Sequence, residues 1–276
     1  LVDALAKIGV SAFGPTRLAA EIETSKSYAK SFMQRHNIPT ARYATFTDFS
    51  KAVKYIESIN YPIVIKASGL AAGKGVFLPN SLEEAKASLL ALLIAADLGS
   101  AGREVVIEER LRGEELSLLA FTDGVTVRVM PPAQDHKRLL DDDQGPNTGG
   151  MGAICPTPIC PLEMLEELTR TILQPTIDGL REEGHPFCGV LYAGLMLTPD
   201  GPRVLEFNAR FGDPETQAIL PLLDTDLLEI ASACVQGNLH QIQPIWKQAT
   251  AACIVLASSG YPGKPLIGGR VQGLDT

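Results

Sequence analysis

The chain has 276 residues, 45% hydrophobic and 20% charged, the balance of an ordinary water-soluble fold with room for two domains or one large fold with a protruding lobe. A formal charge of −8 and a pI near 5.1 exclude a nucleic-acid groove, which needs a basic stripe, but not a local cluster of lysines around a small anion. No apolar run reaches the roughly 18 residues of a membrane span. The five cysteines, Cys155, Cys160, Cys188, Cys234 and Cys253, are odd in number and include no C-x-x-C pair. With no signal-peptide pattern at the start, they read as free thiols in a reducing, cytoplasmic setting.

In chain order, residues 1–9 form an amphipathic helix with Leu1, Leu5 and Ile8 on one face, and 10–13 a short strand ending at Gly14-Pro15. A helix over 16–36 carries Ser25-Lys26 near its middle and stops before Pro39. Residues 40–46 read as a strand, and Asp48 caps a helix over 49–58. Strand 62–66 runs into a glycine-rich loop and a return strand over 75–78. Ser81, with Glu84 three residues on, is a capping box opening the next helix, whose apolar run 88–98 has the length of a buried-face helix. Strands over 104–109 and 115–121 flank a turn at Arg112-Gly113, and a further strand covers 125–130. A long polar, glycine-rich loop follows over 131–153. A helix over 161–182 leads to strands 189–197 and 203–208, joined by Pro199-Asp200-Gly201. Helices over 214–221 and 224–236 precede an apolar strand at 251–257. Both ends read as cut from something longer.

Four segments carry chemistry. In residues 61–76 (YPIVIKASGLAAGKGV) a β-branched strand delivers Lys66 to a loop holding Ser68, Gly69, Gly73, Lys74 and Gly75. Small residues let backbone N–H groups approach an anion and the lysines add charge, so the expected ligand is a polyphosphate. The spacing is not that of a Walker A loop, which has four residues between its first Gly and Gly-Lys and then Ser or Thr. In residues 204–215 (VLEFNARFGDPE) strand alternation places Glu206 and Asn208 on one face, about 7 Å apart, with Arg210 following. A carboxylate beside an amide oxygen suits Mg²⁺ (or Mn²⁺) bridging phosphates, and Arg210 can neutralise charge on a reacting acyl or phosphoryl group. In residues 106–116 (VIEERLRGEEL) Glu108 and Glu115 bracket a tight connection. Alone it reads as a charged hairpin, although it also offers backbone groups to a purine edge and a carboxylate to ribose hydroxyls. The loop over 134–153 joins a basic cluster, His136-Lys137-Arg138, to Gly149, Gly150 and Gly152, and its length marks a substrate-binding element.

The order Lys26, Lys66 with its glycine loop, Glu108 to Glu115, then Glu206-x-Asn208 resembles the ATP-grasp superfamily. The strings KASGLAAGKGV, QDHKR, GPNTGGMG, LYAGLM and EFNARFGDPET resemble the glycinamide ribonucleotide synthetase (phosphoribosylamine–glycine ligase) family from Gly14 to about Gly263. TDGVTVRVMPPAQDHKRLL is closer to its eukaryotic members, in which the activity is often fused to other purine-pathway enzymes. The resemblance implies a mixed α/β (α+β) ATP-grasp fold with a small protruding lid. Residues 1–16 would be the remnant of an N-terminal domain, 17–42 and 114–248 the main body, 43–113 the lid, and 249–276 the start of a truncated C-terminal domain. The implied reaction is ATP-dependent ligation of glycine to 5-phosphoribosylamine through glycyl phosphate, with no nucleic acid or membrane partner.

By matched position, the resemblance gives Lys26, Lys66, Ser68, Gly69, Gly73, Lys74 and Gly75 to the ATP phosphates, Glu108 and Leu111 to the adenine hinge, and Glu115 to the ribose. Glu206 and Asn208 would hold the metal. Arg210 and Lys66 would be the catalytic groups. Arg210, Gly212 and Asp213, with Lys137, Arg138, Asn147, Thr148, Gly149 and Gly150, would face the substrates. One departure stands out: many ATP-grasp enzymes carry a further acidic metal ligand about a dozen residues before the Glu-x-Asn strand, where this chain reads Tyr192-Ala193-Gly194.

Overall fold

The structure is a computed structural model that describes residues 1–71 and 75–273. Helix α1 (Val2–Ala6) opens the chain. The strand expected over 10–13 is absent. This segment leads to Gly14, which lies against Gly189 of strand β11 (Cys188–Thr198). Both edges of β11 are already hydrogen-bonded to other strands, so no ladder is free for it to join.

The helix expected over 16–36 is two helices, α2 (Glu21–Thr24) and α3 (Lys26–Arg35). Ser25 between them is extended (φ −132°, ψ 106°), and its side chain accepts the Tyr28 N–H as an N-cap. Serine competes with the helix through its own hydroxyl, and Lys26 N–H turns aside to donate to Ser68 O at 2.8 Å. Lys26 therefore opens a helix instead of sitting inside one.

The next segment forms an antiparallel sheet of β1 (Tyr43–Phe46), β2 (Ile63–Ala67), β3 (Val76–Phe77) and β4 (Val105–Glu109), in the order β1-β4-β2-β3. Helices α4 (Phe49–Ser58) and α5 (Leu82–Leu93) cover one face. Asp48 caps α4 by accepting from Lys51 N–H, and Ser81 caps α5 by accepting from Glu84 N–H, while the Glu84 carboxylate takes the Asn80 N–H. Ile63, Ile65 and Ala67 of β2 pack into the helix-covered core with Val105 and Ile107, so strand alternation sends Lys66 out of the opposite face.

Strand β5 (Glu114–Asp123) does not pair with β4. It belongs to a second sheet, β12-β11-β5-β6, with β6 (Val127–Val129) and β12 (Gly201–Asn208). The connection at 110–113 is thus a passage between two sheets, not the charged hairpin the sequence suggested. This sheet is covered on both faces: Leu116, Leu118 and Ala120 pack toward α3 and the helices over 162–182, and Leu119 and Phe121 toward α8 (Glu215–Ile219) and α9 (Leu227–Gln236). A run buried on both sides reads as continuous apolar sequence. The helix expected over 161–182 is α6 (Leu162–Leu168), a π-helical stretch Thr169–Leu173 and α7 (Gln174–Glu182) in unbroken succession.

The expected loop over 131–153 is built mostly of short strands. Strands β7 (Gln134–Asp135) and β10 (Gly152–Cys155) pair with each other, and β10 also pairs with β13 (Ala251–Ile254); β8 (Arg138–Leu140) and β9 (Gln144–Asn147) form a separate hairpin. Among the described residues no helix is long and apolar enough to cross a membrane.

Candidate active site

A cavity of about 350 Å³ opens where α3, the face of β2 opposite its helices, the end of β12 and the segment around β7 converge. Helix α3 contributes Lys26 and, one turn on, Lys30; β2 contributes Lys66; β12 contributes Glu206 and Asn208.

The direction in which Glu206 and Asn208 point is set by a bulge. On β11, Leu195 pairs with Val204 and Gly194 with Glu206, so Leu205 has no partner in the ladder. The extra residue inverts the alternation: Val204 is buried before it and Phe207 after it, both in the same core. Glu206 and Asn208 are thereby turned into the cavity. The Leu205 carbonyl lies 3.4 Å from Lys66 Nζ, which donates to it.

Lys30, Lys66 and Glu108 form a buried ionic cluster. Glu108 Oε1 pairs with Lys66 Nζ and Oε2 lies 2.5 Å from Lys30 Nζ, the three residues being 3%, 7% and 2% exposed for Glu108, Lys66 and Lys30 respectively. Burial works to raise the Glu108 pKa, but the two lysines outweigh it and hold the carboxyl below its usual range. Burial likewise works to lower Lys66, and Glu108 and Glu206 outweigh it, so the ammonium is held above its ordinary value. Lys26 goes the other way: burial lowers it, with only partial compensation from Glu206.

A second group is acidic. Glu215, at the start of α8 and 2% exposed, accepts from Tyr192 Oη and, at 2.9 Å, from Ser117 Oγ. Asp135 lies close by, its Oδ1 buried without a hydrogen-bond partner, and burial together with the Glu215 charge pushes its pKa up to about 7. Two glycines are required here by space. At Gly150 (φ +121°) a Cβ would lie 2.4 Å from Pro214 Cδ and 2.7 Å from Asp135 Oδ1; at Gly212 it would lie 2.4 Å from Glu215 Oε2.

Of the residues singled out in the sequence, Lys26, Lys66, Gly75, Lys137, Thr148, Gly149, Glu206, Asn208, Arg210 and Asp213 line the cavity. Gly73 and Lys74 lie outside the described residues. The others have different surroundings. The Glu108 carboxylate is taken up by two lysines and does not reach the lining. Ser68 is a buried strut, its hydroxyl bonded to Ser27. Gly69 is pressed against Ala101. Arg138 spans its own hairpin by donating to Gly145 O, and Asn147 is its ladder partner. Glu115 pairs with Lys137 at 2.6 Å, near the cavity but outside its wall, and Leu111 is half-buried in the passage between the sheets. Gly150 and Gly212 act through the space they leave.

Lys30, Asp135, Tyr192 and Glu215 were not singled out. Lys30 was legible as the residue one helical turn after Lys26. Asp135 precedes the basic cluster and Glu215 ends the RFGDPE string, but nothing local marks them as neighbours. At the position where a further acidic metal ligand was looked for, Gly194 stands opposite Glu206 and Tyr192 opposite Asn208. Among the described residues no group of three or more His, Cys, Asp or Glu side chains can hold a metal ion.

A lysine cluster held between two antiparallel sheets, with Glu206 and Asn208 at the junction, defines an ATP-grasp fold. Residues 24–216 match the family of the phosphoribosylglycinamide synthetase ATP-grasp (A) domain, and the chain belongs to that family. It is 55% identical to the trifunctional purine biosynthetic protein adenosine-3 of Gallus gallus, covering 99% of this chain and 28% of that protein. It is 48% identical to a phosphoribosylamine–glycine ligase of Caulobacter vibrioides, covering 100% of this chain and 64% of that one. The crystal structure of the phosphoribosylamine–glycine ligase of Thermotoga maritima superposes with a TM-score of 0.83 at 38% identity, over 92% of this chain and 64% of that chain. A Campylobacter jejuni biotin carboxylase solved as a β-γ-ATP complex shares the fold, with a TM-score of 0.74 at 16% identity over 96% of this chain and 58% of that one. The chain thus spans between about a quarter and two thirds of the length of these relatives.

Proposed function

We propose that this chain forms the ATP-binding core of a ligase that joins glycine to 5-phosphoribosylamine, giving glycinamide ribonucleotide, ADP and phosphate. The observation that carries the reading is the convergence of Lys26 and Lys66 with Glu206 and Asn208 on one cavity, in a chain of this family. A carboxylate is a poor electrophile and its mixed anhydride with phosphate a good one. The glycine carboxylate oxygen attacks the γ-phosphorus and ADP leaves; the amine of phosphoribosylamine then attacks the glycyl carbonyl, releasing phosphate and a proton.

Catalysis of this kind is positioning and charge stabilisation, with no protein nucleophile. Lys26 and Lys66 bind and orient the phosphates, and residues 43–113 act as the lid over them. Glu115 takes the ribose, and the backbone near Glu108 and Leu111 meets the adenine. Arg210, with Asp213, Lys137, Thr148 and Gly149, faces the acyl phosphate and the incoming amine. One carboxylate and one amide oxygen fit Mg²⁺, which commonly keeps several waters and completes its shell with substrate phosphates. Held by Glu206 and Asn208, it would supply charge neutralisation to the polyphosphate.

The test is ADP formation with glycine and freshly generated phosphoribosylamine, added singly and together, using this chain and the longer protein that contains it. Release that needs both substrates is expected. MgATP binding with no turnover by either protein would reduce the reading to a nucleotide-binding module.

A further inference from the structure

Lys30 has no role in the mechanism above, yet it is buried in the cavity wall at 2% exposure, a setting in which lysine is rarely found unless paired. Its ammonium meets two acceptors. Glu108 Oε2 is 2.5 Å away, and Thr40 Oγ1 accepts from it at 2.7 Å while donating in turn to Val204 O at 2.7 Å. Thr40 is neutral, so among the described residues Glu108 is the one charge Lys30 touches. Glu108 is also the charge that Lys66 touches, through its other oxygen. A single buried carboxylate is therefore divided between two lysines. Lys26 is matched by Glu206, and the other two charges that act on Lys26 and Lys66 are already in pairs, Glu23 with Arg210 and Lys137 with Glu115, so the cluster keeps its excess of one cation.

We propose that Lys30 is a positioning residue for phosphate binding: by sharing Glu108 with Lys66 it prevents the carboxylate from cancelling the Lys66 charge, and the cavity presents the surplus to a nucleotide polyphosphate. Without Lys30, Glu108 and Lys66 form a neutral pair, and an ammonium fully matched by a buried carboxylate attracts an arriving anion weakly. With Lys30 in place the cluster is incomplete until an anion arrives. The helix that carries Lys30 also carries Lys26, so one rigid element sets two cations of the cavity wall. The inference rests on the reading that this cavity takes the phosphates of ATP.

The experiment compares wild type with Lys30→Met, Lys30→Gln and Lys30→Arg by calorimetric titration of ATP, inorganic tripolyphosphate and adenosine. Loss of one cation near the phosphates should weaken ATP and tripolyphosphate by about tenfold or more in the Met and Gln variants. Adenosine affinity should stay at the wild-type level, and Arg should restore most of the loss. Where Met fails to fold, Gln, which still donates to Glu108 and Thr40, carries the test. A purely structural role predicts that ATP and adenosine weaken together, or that neither changes, and either result overturns the proposal. Failure of the wild-type protein to bind ATP or tripolyphosphate would instead refute the assignment of the cavity, and this inference with it.

Discussion

Glu108→Gln is the most informative single change in the buried cluster. The carboxylate meets Lys66 through one oxygen and Lys30 through the other, and all three residues are buried. Glutamine keeps the shape but offers one acceptor and one NH₂, so at least one ammonium faces a donor and both lose their counter-charge. Removing one partner of a buried ion pair costs about 3–5 kcal/mol. At about 2–4 °C per kcal/mol for a chain of this size, the melting midpoint should fall by about 6–20 °C. The assay is thermal unfolding followed by circular dichroism across pH. Because the two lysines lower the folded Glu108 pKa from its ordinary 4.5, its contribution is complete above that value and is lost as pH falls through the lower folded one. The gap between wild type and variant should hold at neutral and mildly acidic pH and close only in strong acid. Above neutrality it should narrow as the unmatched lysines shed their protons. An unchanged midpoint at neutral pH would refute the reasoning.

Glu206→Ala should abolish ADP release and weaken MgATP in a binding titration; normal turnover would remove the metal assignment. Glu115→Ala should weaken nucleotide affinity by about tenfold or more with a smaller effect on kcat, since it removes a charged acceptor outside the cavity wall. Steady-state kinetics separate the two, and a fall in kcat alone would count against a ribose role. Asp135 has its pKa raised to about 7, so the folded state holds its proton more tightly than the unfolded chain does. Ionised Asp135 then destabilises increasingly as pH rises from its ordinary 3.8 to about 7. Asp135→Asn should gain thermal stability over wild type across that window and level off above it; a difference independent of pH would contradict the burial argument.

The ATP-grasp fold was legible in the order of its motifs, and ten of the residues that line the cavity were legible because their signals are local. Asp48 and Ser81 announce helix starts through side chains that bond backbone three residues on. Lys66 lines the cavity at the end of a β-branched strand, a signal carried by its neighbours alone. What was missed depends on distant parts of the chain. Ser25 breaks a helix because Ser68 O competes for the Lys26 N–H. The segment before Gly14 stays out of a sheet because both edges of β11 are occupied. The strands inside 131–153 are two to four residues long, below what a period of two can reveal. Glu108 was placed by its position in an order of motifs, whereas its carboxylate answers to lysines 42 and 78 residues earlier, at Lys66 and Lys30.

The unpaired Leu205 makes the location of the metal-side residues a matter of counting as much as of identity. Alternation from Gly201 would carry Val204 and Glu206 to the same side, into the hydrocarbon packed beneath the sheet. One supernumerary residue resets the phase, so Glu206 and Asn208 face the cavity while Phe207 takes the core side. A strand with this property tolerates exchange of one apolar residue for another at 205 far better than loss of that residue. Shortening the strand by one would leave each downstream side chain intact and aim it the wrong way. The chemistry here is written partly in the length of a strand.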